Sequence, residues 1–176
     1  MASAPLAPAE AAALLQAAAT TIRAEMAALP AAALAWHPAA GEWCVKEVLG
    51  HLIESERRGF AGRIRIILAG DRPALEGWDQ EAIARARQDC AREWAELFDE
   101  FARLREESVP LVAALQPEDL ARGGQHPKVG FLTVADLLHE WVHHDRNHIR
   151  QMLGNVQAFA WPHMGNAQRF SQPAPS

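Results

Sequence analysis

One amphipathic segment near the end of the chain limits its fold more than any other. Thr133 with Asp136 forms a Thr-x-x-Asp start signal, and the pattern after it predicts a helix reaching roughly Phe159. Leu137, Trp141, His144, His148 and Met152 recur there at steps of four, three, four and four, which is one stripe of a helical surface. His144 and His148 therefore face inward with the apolar residues. His139, His143, Arg146 and Arg150 fall on a polar stripe expected to meet water. The i,i+4 spacing stacks two imidazoles close enough for a divalent ion to bond a nitrogen of each at about 2.0–2.1 Å. Two histidines alone do not make a tight site, so a further ligand is sought along the chain.

Upstream, Pro8 opens a first predicted helix that runs to Leu29 and is closed by Pro30. A connector to Gly41 follows, with a short turn over 31–35. The second helix is expected from Cys44 to about Ala69, with Val45, Val48, Leu49, Leu52, Ile53 and Phe60 on its buried side and His51 among them. Glu47 would complete a capping box at its start if position 44 were Ser or Thr. The Gly- and Pro-rich stretch 70–78 breaks the pattern. Asp79 then caps a third, long helix carrying Ile83, Cys90, Trp94, Leu97, Phe98, Phe101 and Leu104, which Pro110 should kink or interrupt near Glu107, with a last piece reaching Leu115. Gln116–Asp119 reads as a turn and 122–130 as an irregular crossover. No strand pattern and no fixed repeat are visible. Four amphipathic helices imply an all-α fold, a four-helix bundle with a long crossover loop.

The 176 residues suit one domain, with the bundle over about 8–160 and a looser tail over 161–176. A net charge of -5 provides no broad basic face, so nucleic-acid binding is not expected. No run approaches the length of a membrane span and the Ala-rich start lacks a basic n-region, so a cytoplasmic chain without membrane attachment is expected. Cys44 and Cys90 lack CxxC spacing, which argues against a Cys-type zinc site and suggests no disulfide framework.

If the second and fourth helices are neighbours, His51, His144 and His148 make a three-histidine metal set with positions left open, the arrangement of a catalytic site. Neutral imidazole suits Zn, Ni, Cu or Fe, so a divalent transition metal is expected without its identity. The competing reading makes His51 a hydrogen-bonded core histidine and the HHDRNH run a partly solvated face. Glu140, one turn before His144, is a candidate to accept its free N–H, or a solvated glutamate. Ser55, one turn after His51, would either line the same cavity or serve as a small residue allowing close helix packing. Cys44 sits roughly 10 Å from His51 along an unbroken helix, too far to be a fourth ligand. Arg57, Arg58, Arg63 and Arg65 read as a solvated face, with Arg63 or Arg65 placed to meet an acidic thiol at a cavity mouth.

GEWCVKEVLGHLIESE (41–56), with Trp43 and His51, and LTVADLLHEWVHHDRNHIRQM (132–152) together resemble the DinB-like/YfiT-like superfamily of bacterial four-helix proteins. The resemblance covers most of the chain. It implies an up-down-down-up bundle, often a homodimer, and assigns the metal ligands to His51, His144 and His148. It also implies a metal-dependent enzyme that activates a thiol or water to act on a small substrate, with thiol transfer from a low-molecular-weight thiol favoured over hydrolysis. Loops 70–78 and 121–131 would choose the substrate, and no catalytic residue is assigned. A non-catalytic, metal-stabilised dimer with a binding or stress role is the competing expectation.

Overall fold

The computed structural model describes residues 4–171. The expected loose end at Pro173 and Pro175 lies outside them. Four long helical elements form the bundle: α1 (Pro8–Met26), the pair α3 (Val45–Glu54) and α4 (Ala61–Ala69), α6 (Trp94–Ala113) and α8 (Val134–Ala160). Short helices α2 (Ala31–Leu34), α5 (Gln80–Arg87) and α7 (Pro117–Leu120) lie in the connections.

Side-chain contacts fix the direction of each helix. Arg105 donates to the Leu15 carbonyl at 2.7 Å while Arg23 lies over the Phe98 ring, so α1 and α6 run oppositely. Leu6 pairs with His139 and Leu14 with Arg146, so α1 and α8 run together. Asn155 reaches the Trp43 carbonyl and His51 meets His144, which sets α3 against α8. Lys46 bonds the carbonyls of Cys90 and Arg92, and farther along Glu56 meets Ser108, so α3 and α6 run together. The order is up-down-down-up, and the first two bundle helices lie on a diagonal instead of side by side.

The core has two apolar parts. Leu15, Phe60, Ile64, Val112, Leu137 and Trp141 fill one end. Ile22, Val48, Leu52, Leu97, Phe101 and Met152 fill the other. In α6 and α8, and across the junction of α3 and α4, the residues between these sets are polar. Arg105, 1% exposed, is ion-paired to Glu56 and to Asp145, the latter at 2.7 Å, and the Ser108 hydroxyl donates to Glu56 at 2.6 Å. Burial pushes the Glu56 carboxyl above its ordinary value, and the Arg105 guanidinium and Ser108 hydroxyl pull against that shift.

Several elements differ from the sequence reading. The second bundle helix is broken by a π-helical turn, Ser55–Gly59, before α4 resumes. A Cβ at Gly62 would overlap the Arg57 carbonyl of that turn, so only glycine allows the approach. The capping box works through its glutamate half: the Cys44 N–H donates to Glu47 at 2.8 Å. Asp79 does cap a helix, accepting from the N–H groups of Glu81 and Ala82, but α5 ends at Arg87 because Gln88 adopts φ 51°. Cys90 is therefore on a 3₁₀ turn, Asp89–Ala91, and not on the third bundle helix. That turn is held by the buried Asp89, paired with Arg87 at 2.7 Å and Arg92 at 3.1 Å. Pro110 does not interrupt α6, which continues to Ala113, since proline removes one helical bond and its neighbours are packed. The expected irregular crossover contains a hairpin, β1 (Gly123–His126) antiparallel to β2 (Gly130–Thr133), with Gly123 opposite Thr133. Finally, the Cys44 and Cys90 sulfurs are joined as a disulfide, which the sequence reading had not suggested.

Arg105→Ala is expected to cost about 3–5 kcal/mol in urea unfolding, because it leaves two buried carboxylates without a counter-charge. A loss below about 1 kcal/mol would refute that role. The ion pairs around Glu54 and Glu100 make the fold sensitive to acid. Burial raises the Glu54 carboxyl, but Arg58, Arg57 and Arg87 outweigh it and hold the group below its ordinary value; Arg92 and Arg87 do the same at Glu100. Depressed carboxylates contribute stability that is complete above the unfolded value of about 4.3 and is lost as pH falls through the lower folded values. Thermal melts from pH 7 to 3 should therefore show a steeper acid loss in the native chain than in Arg87→Ala, and parallel curves would exclude this account.

Candidate metal centre

Two elements build the site. The apolar spacing of α3 turns His51 inward beside Val48 and Leu52, leaving it 7% exposed. The stripe on α8 delivers His144 and His148, both half-buried. Ring centroids are 5.0 Å apart for His51 and His144, 4.6 Å for His51 and His148, and 4.4 Å for His144 and His148. One nitrogen from each ring lies within 4.8 Å of the others, and the Nε2 atoms of His51 and His144 are 3.0 Å apart. Two nitrogens bonded to one ion at about 2.0–2.1 Å lie roughly 2.9–3.4 Å apart for ordinary coordination angles, so the spacing suits a shared cation. The structure thus brings together all three residues singled out from the sequence.

Burial, with His148 close by, pushes the His51 imidazole down to about 4, and burial with the neighbouring histidines pushes His144 down to about 2. His148 is lowered by burial as well. At neutral pH the rings are uncharged and each has a lone pair to offer. His148 Nδ1 lies 2.8 Å from Gln151 Oε1, an acceptor, so Nδ1 carries the proton and Nε2 is left bare. Among the described residues, the buried His144 Nδ1 has no hydrogen-bond partner. Of the two readings of Glu140, the solvated glutamate is the one that holds: it does not take up that N–H, is exposed and lines the neighbouring cavity.

That cavity, about 560 Å³, opens beside His51 and His144. Ser55, on the π-helical turn, faces it with its Oγ 3.5 Å from His51 Nε2. Trp43 and Trp78 lie against the His51 ring at 5.2 and 5.7 Å, and Phe60 meets His144 at 5.1 Å, an aromatic collar that limits water around the nitrogens. The outer wall comes from the two loops expected to select a substrate. They are stitched together by Leu75 N–H to Gln125 O and Gln125 N–H to Pro73 O, each 2.8 Å. Trp78 enters from one, His126 and Lys128 from the other. Arg63 also reaches the wall, donating to the Glu76 carbonyl at 3.0 Å and lying 3.1 Å from His126, while its Nε is buried and unpartnered. Trp78, His126 and Lys128 carried no helical periodicity and were missed. His139 and Arg146 depart from the expected solvated stripe: half-buried, they bond the Leu6 N–H and the Leu14 carbonyl.

A profile of the DinB superfamily matches residues 8–152, which include all three histidines. The chain belongs to the DinB superfamily. A protein of Oceanobacillus iheyensis named "Putative metal-dependent hydrolase OB0782" is 23% identical over 132 residues, 69% of each chain. The solved structure of YfiT from Bacillus subtilis, described as "a probable metal-dependent hydrolase with an unusual four-helix bundle topology", superposes with a TM-score of 0.80 at 19% identity, covering 88% of both chains. At that identity the superposition speaks to the fold. In this DinB chain the diagonal placement of α1 and α3 is what puts α3 beside α8, and so His51 beside His144.

Proposed function

We propose that this DinB-superfamily chain is a metal-dependent hydrolase of a small substrate, with His51, His144 and His148 holding a divalent ion. The observation that carries the reading is the convergence of three neutral imidazole nitrogens from two helices on the edge of a 560 Å³ cavity. The description of the two relatives as metal-dependent hydrolases supports it. A divalent ion bound there supplies Lewis-acid activation of a water or thiol. The chain's own residues do the remaining work. Gln151 holds the His148 ring in the ligating tautomer. Trp43, Trp78 and Phe60 keep the nitrogens dry. Of the carboxylates on the cavity wall, Asp136 is engaged by the Thr133 N–H at 2.9 Å in the α8 cap, which leaves Glu140 to accept a proton from the nucleophile. Arg63 and Lys128 offer positive charge to an anionic substrate group.

Transfer of a low-molecular-weight thiol uses the same open positions, and Arg63 and Lys128 would meet the carboxylate of an acidic thiol. The two chemistries separate in one assay. Untagged protein should carry about one equivalent of Zn, Ni or Fe at this centre, lost in His51→Ala and in His144→Ala. With Cys44 and Cys90 kept as the disulfide, metal retained in both variants would sink the assignment. A panel of ester, amide and electrophile substrates is then run with and without added thiol. Turnover without thiol is the expected result, and turnover only with thiol replaces hydrolysis by transfer. A large rise in melting temperature on metal addition with no turnover in either arm would favour the metal-stabilised binding protein.

Two substitutions resolve roles within the site. Glu140→Gln should lower kcat about 10²–10⁴-fold with metal content unchanged, the range of a lost general base. Gln151→Ala should weaken metal binding about 10–100-fold, as for other groups that orient a ligating histidine. Unchanged kcat in the first, or unchanged affinity in the second, would remove the residue from the mechanism.

A further inference from the structure

A second cluster of ligating side chains lies at the opposite end of α3. Donor atoms of His37, Cys44, Glu47 and Cys90 all fall within 4.8 Å of one another. His37 Nδ1 is 2.7 Å from the Glu42 carbonyl, which can only accept, so Nδ1 carries the proton and Nε2 presents a bare lone pair. That lone pair points at Cys90 Sγ from 3.4 Å. A disulfide sulfur has no hydrogen to donate, so in the oxidised chain two acceptors face each other with nothing between them. In the reduced chain the Cys90 S–H can donate to Nε2 across this contact, and a cation that displaces the thiol proton would be shared by the thiolate and the same lone pair.

We propose that His37, Cys44, Cys90 and Glu47 form a separate thiolate-rich site for a divalent cation of borderline softness, Zn²⁺ being the best match, occupied when the two cysteines are reduced. Two thiolates with an imidazole and a carboxylate make a tetrahedral donor set of the kind zinc favours. At about 2.3 Å for Zn–S and 2.0–2.1 Å for Zn–N, a nitrogen and a sulfur on one ion lie roughly 3.6 Å apart, close to the 3.4 Å between His37 and Cys90. The Cα atoms of Cys44 and Cys90 are 6.8 Å apart, at the wide end of the disulfide range, so the sulfurs can part by side-chain rotation alone. Nor does the placement of Cys90 depend on the sulfur bond. Lys46 holds its carbonyl at 3.1 Å and that of Arg92 at 2.6 Å, and Asp89 beside it is fixed by Arg87 and Arg92. On the other side, the Glu47 carboxylate is tied to the Cys44 N–H at 2.8 Å. His37, 46% exposed on its side chain, leaves a route for the ion.

The bonded pair is the other state of the same site. Exchange with a low-molecular-weight disulfide converts the two protein thiolates to the Cys44–Cys90 disulfide, reduces the reagent to two thiolates and releases the divalent ion, so electrons and charge balance.

The test uses the full chain, reduced and kept anaerobic, with Co²⁺ as spectroscopic probe and Zn²⁺ for stoichiometry. A thiolate-to-Co²⁺ charge-transfer band is expected in the native chain and in His51→Ala, and is expected to vanish in Cys90→Ser. Native protein should bind about two equivalents of Zn²⁺, and Cys90→Ser and His51→Ala about one each. Treatment with a small disulfide should abolish the band and one equivalent. Absence of the band in the reduced native chain, its survival in Cys90→Ser, or retention of the second equivalent after oxidation would each overturn the proposal. Because the band is read in His51→Ala, failure here is separable from failure of the histidine centre.

Discussion

The structure depends on a buried charge being balanced in the middle of the bundle. Arg105 is enclosed between Glu56 and Asp145, and its guanidinium also satisfies the Leu15 carbonyl. Taking such a group out of water is costly unless it is paired, and Arg105 on α6 draws its partners from three other elements. It therefore fixes the mutual height of α1, the π-helical turn, α6 and α8 more narrowly than apolar packing does. The two apolar clusters lie on either side of this layer, and the histidines enter at the same level: Asp145 follows His144 directly, and Glu56 follows Ser55. A bundle whose register is set here has its imidazoles set with it.

The π-helical turn connects this polar layer to the cavity. With unbroken α-helical geometry from Cys44 to Ala69, Glu56 and Phe60 would continue the phase of the α3 stripe. The wider turn over Ser55–Gly59 changes that phase, so that Glu56 faces Arg105 while Ser55 and Phe60 still reach the cavity. Irregular turns of this kind inside helices are often found at functional sites. Gly62 is the sequence mark of it, since no side chain fits against the Arg57 carbonyl.

Much of this was legible in the residues, for identifiable reasons. Periodicity reads buried faces, so the bundle, the α8 boundaries and the inward direction of His51, His144 and His148 all followed from spacing. Where other interactions decide, spacing fails. The expected long third helix is split because Arg87 and Arg92 trap Asp89 beneath α3 at Gly50, and no local propensity encodes that. Pro110 was given a helix-breaking effect that tertiary packing overrides. The hairpin over 123–133 is too short and too glycine-rich to show alternation, yet it carries His126 and Lys128 to the cavity. Cys44 and Cys90 were judged by their distance in sequence, whereas the up-down-down-up order with its crossover brings them together.

The two clusters differ in the donor atoms they offer a cation, and α3 separates them. Seven residues at 1.5 Å rise put Cys44 about 10 Å from His51, beyond any shared ligand. The histidine centre offers nitrogen alone, leaves positions free and opens on a cavity, which are the requirements for acting on a bound molecule. The cysteine cluster offers sulfur, nitrogen and oxygen that can close a tetrahedron, and ties the connector before α3 to the turn before α6. Its chemistry is that of a clamp. Loss of a clamp at this end acts on the start of α3 and on Trp43, which lies tilted against the His51 ring and is held from α8 by Asn155 at 2.9 Å. Any influence of the cysteines on the catalytic reading must pass through that short path, by shifting Trp43 over the ring and not by supplying a ligand.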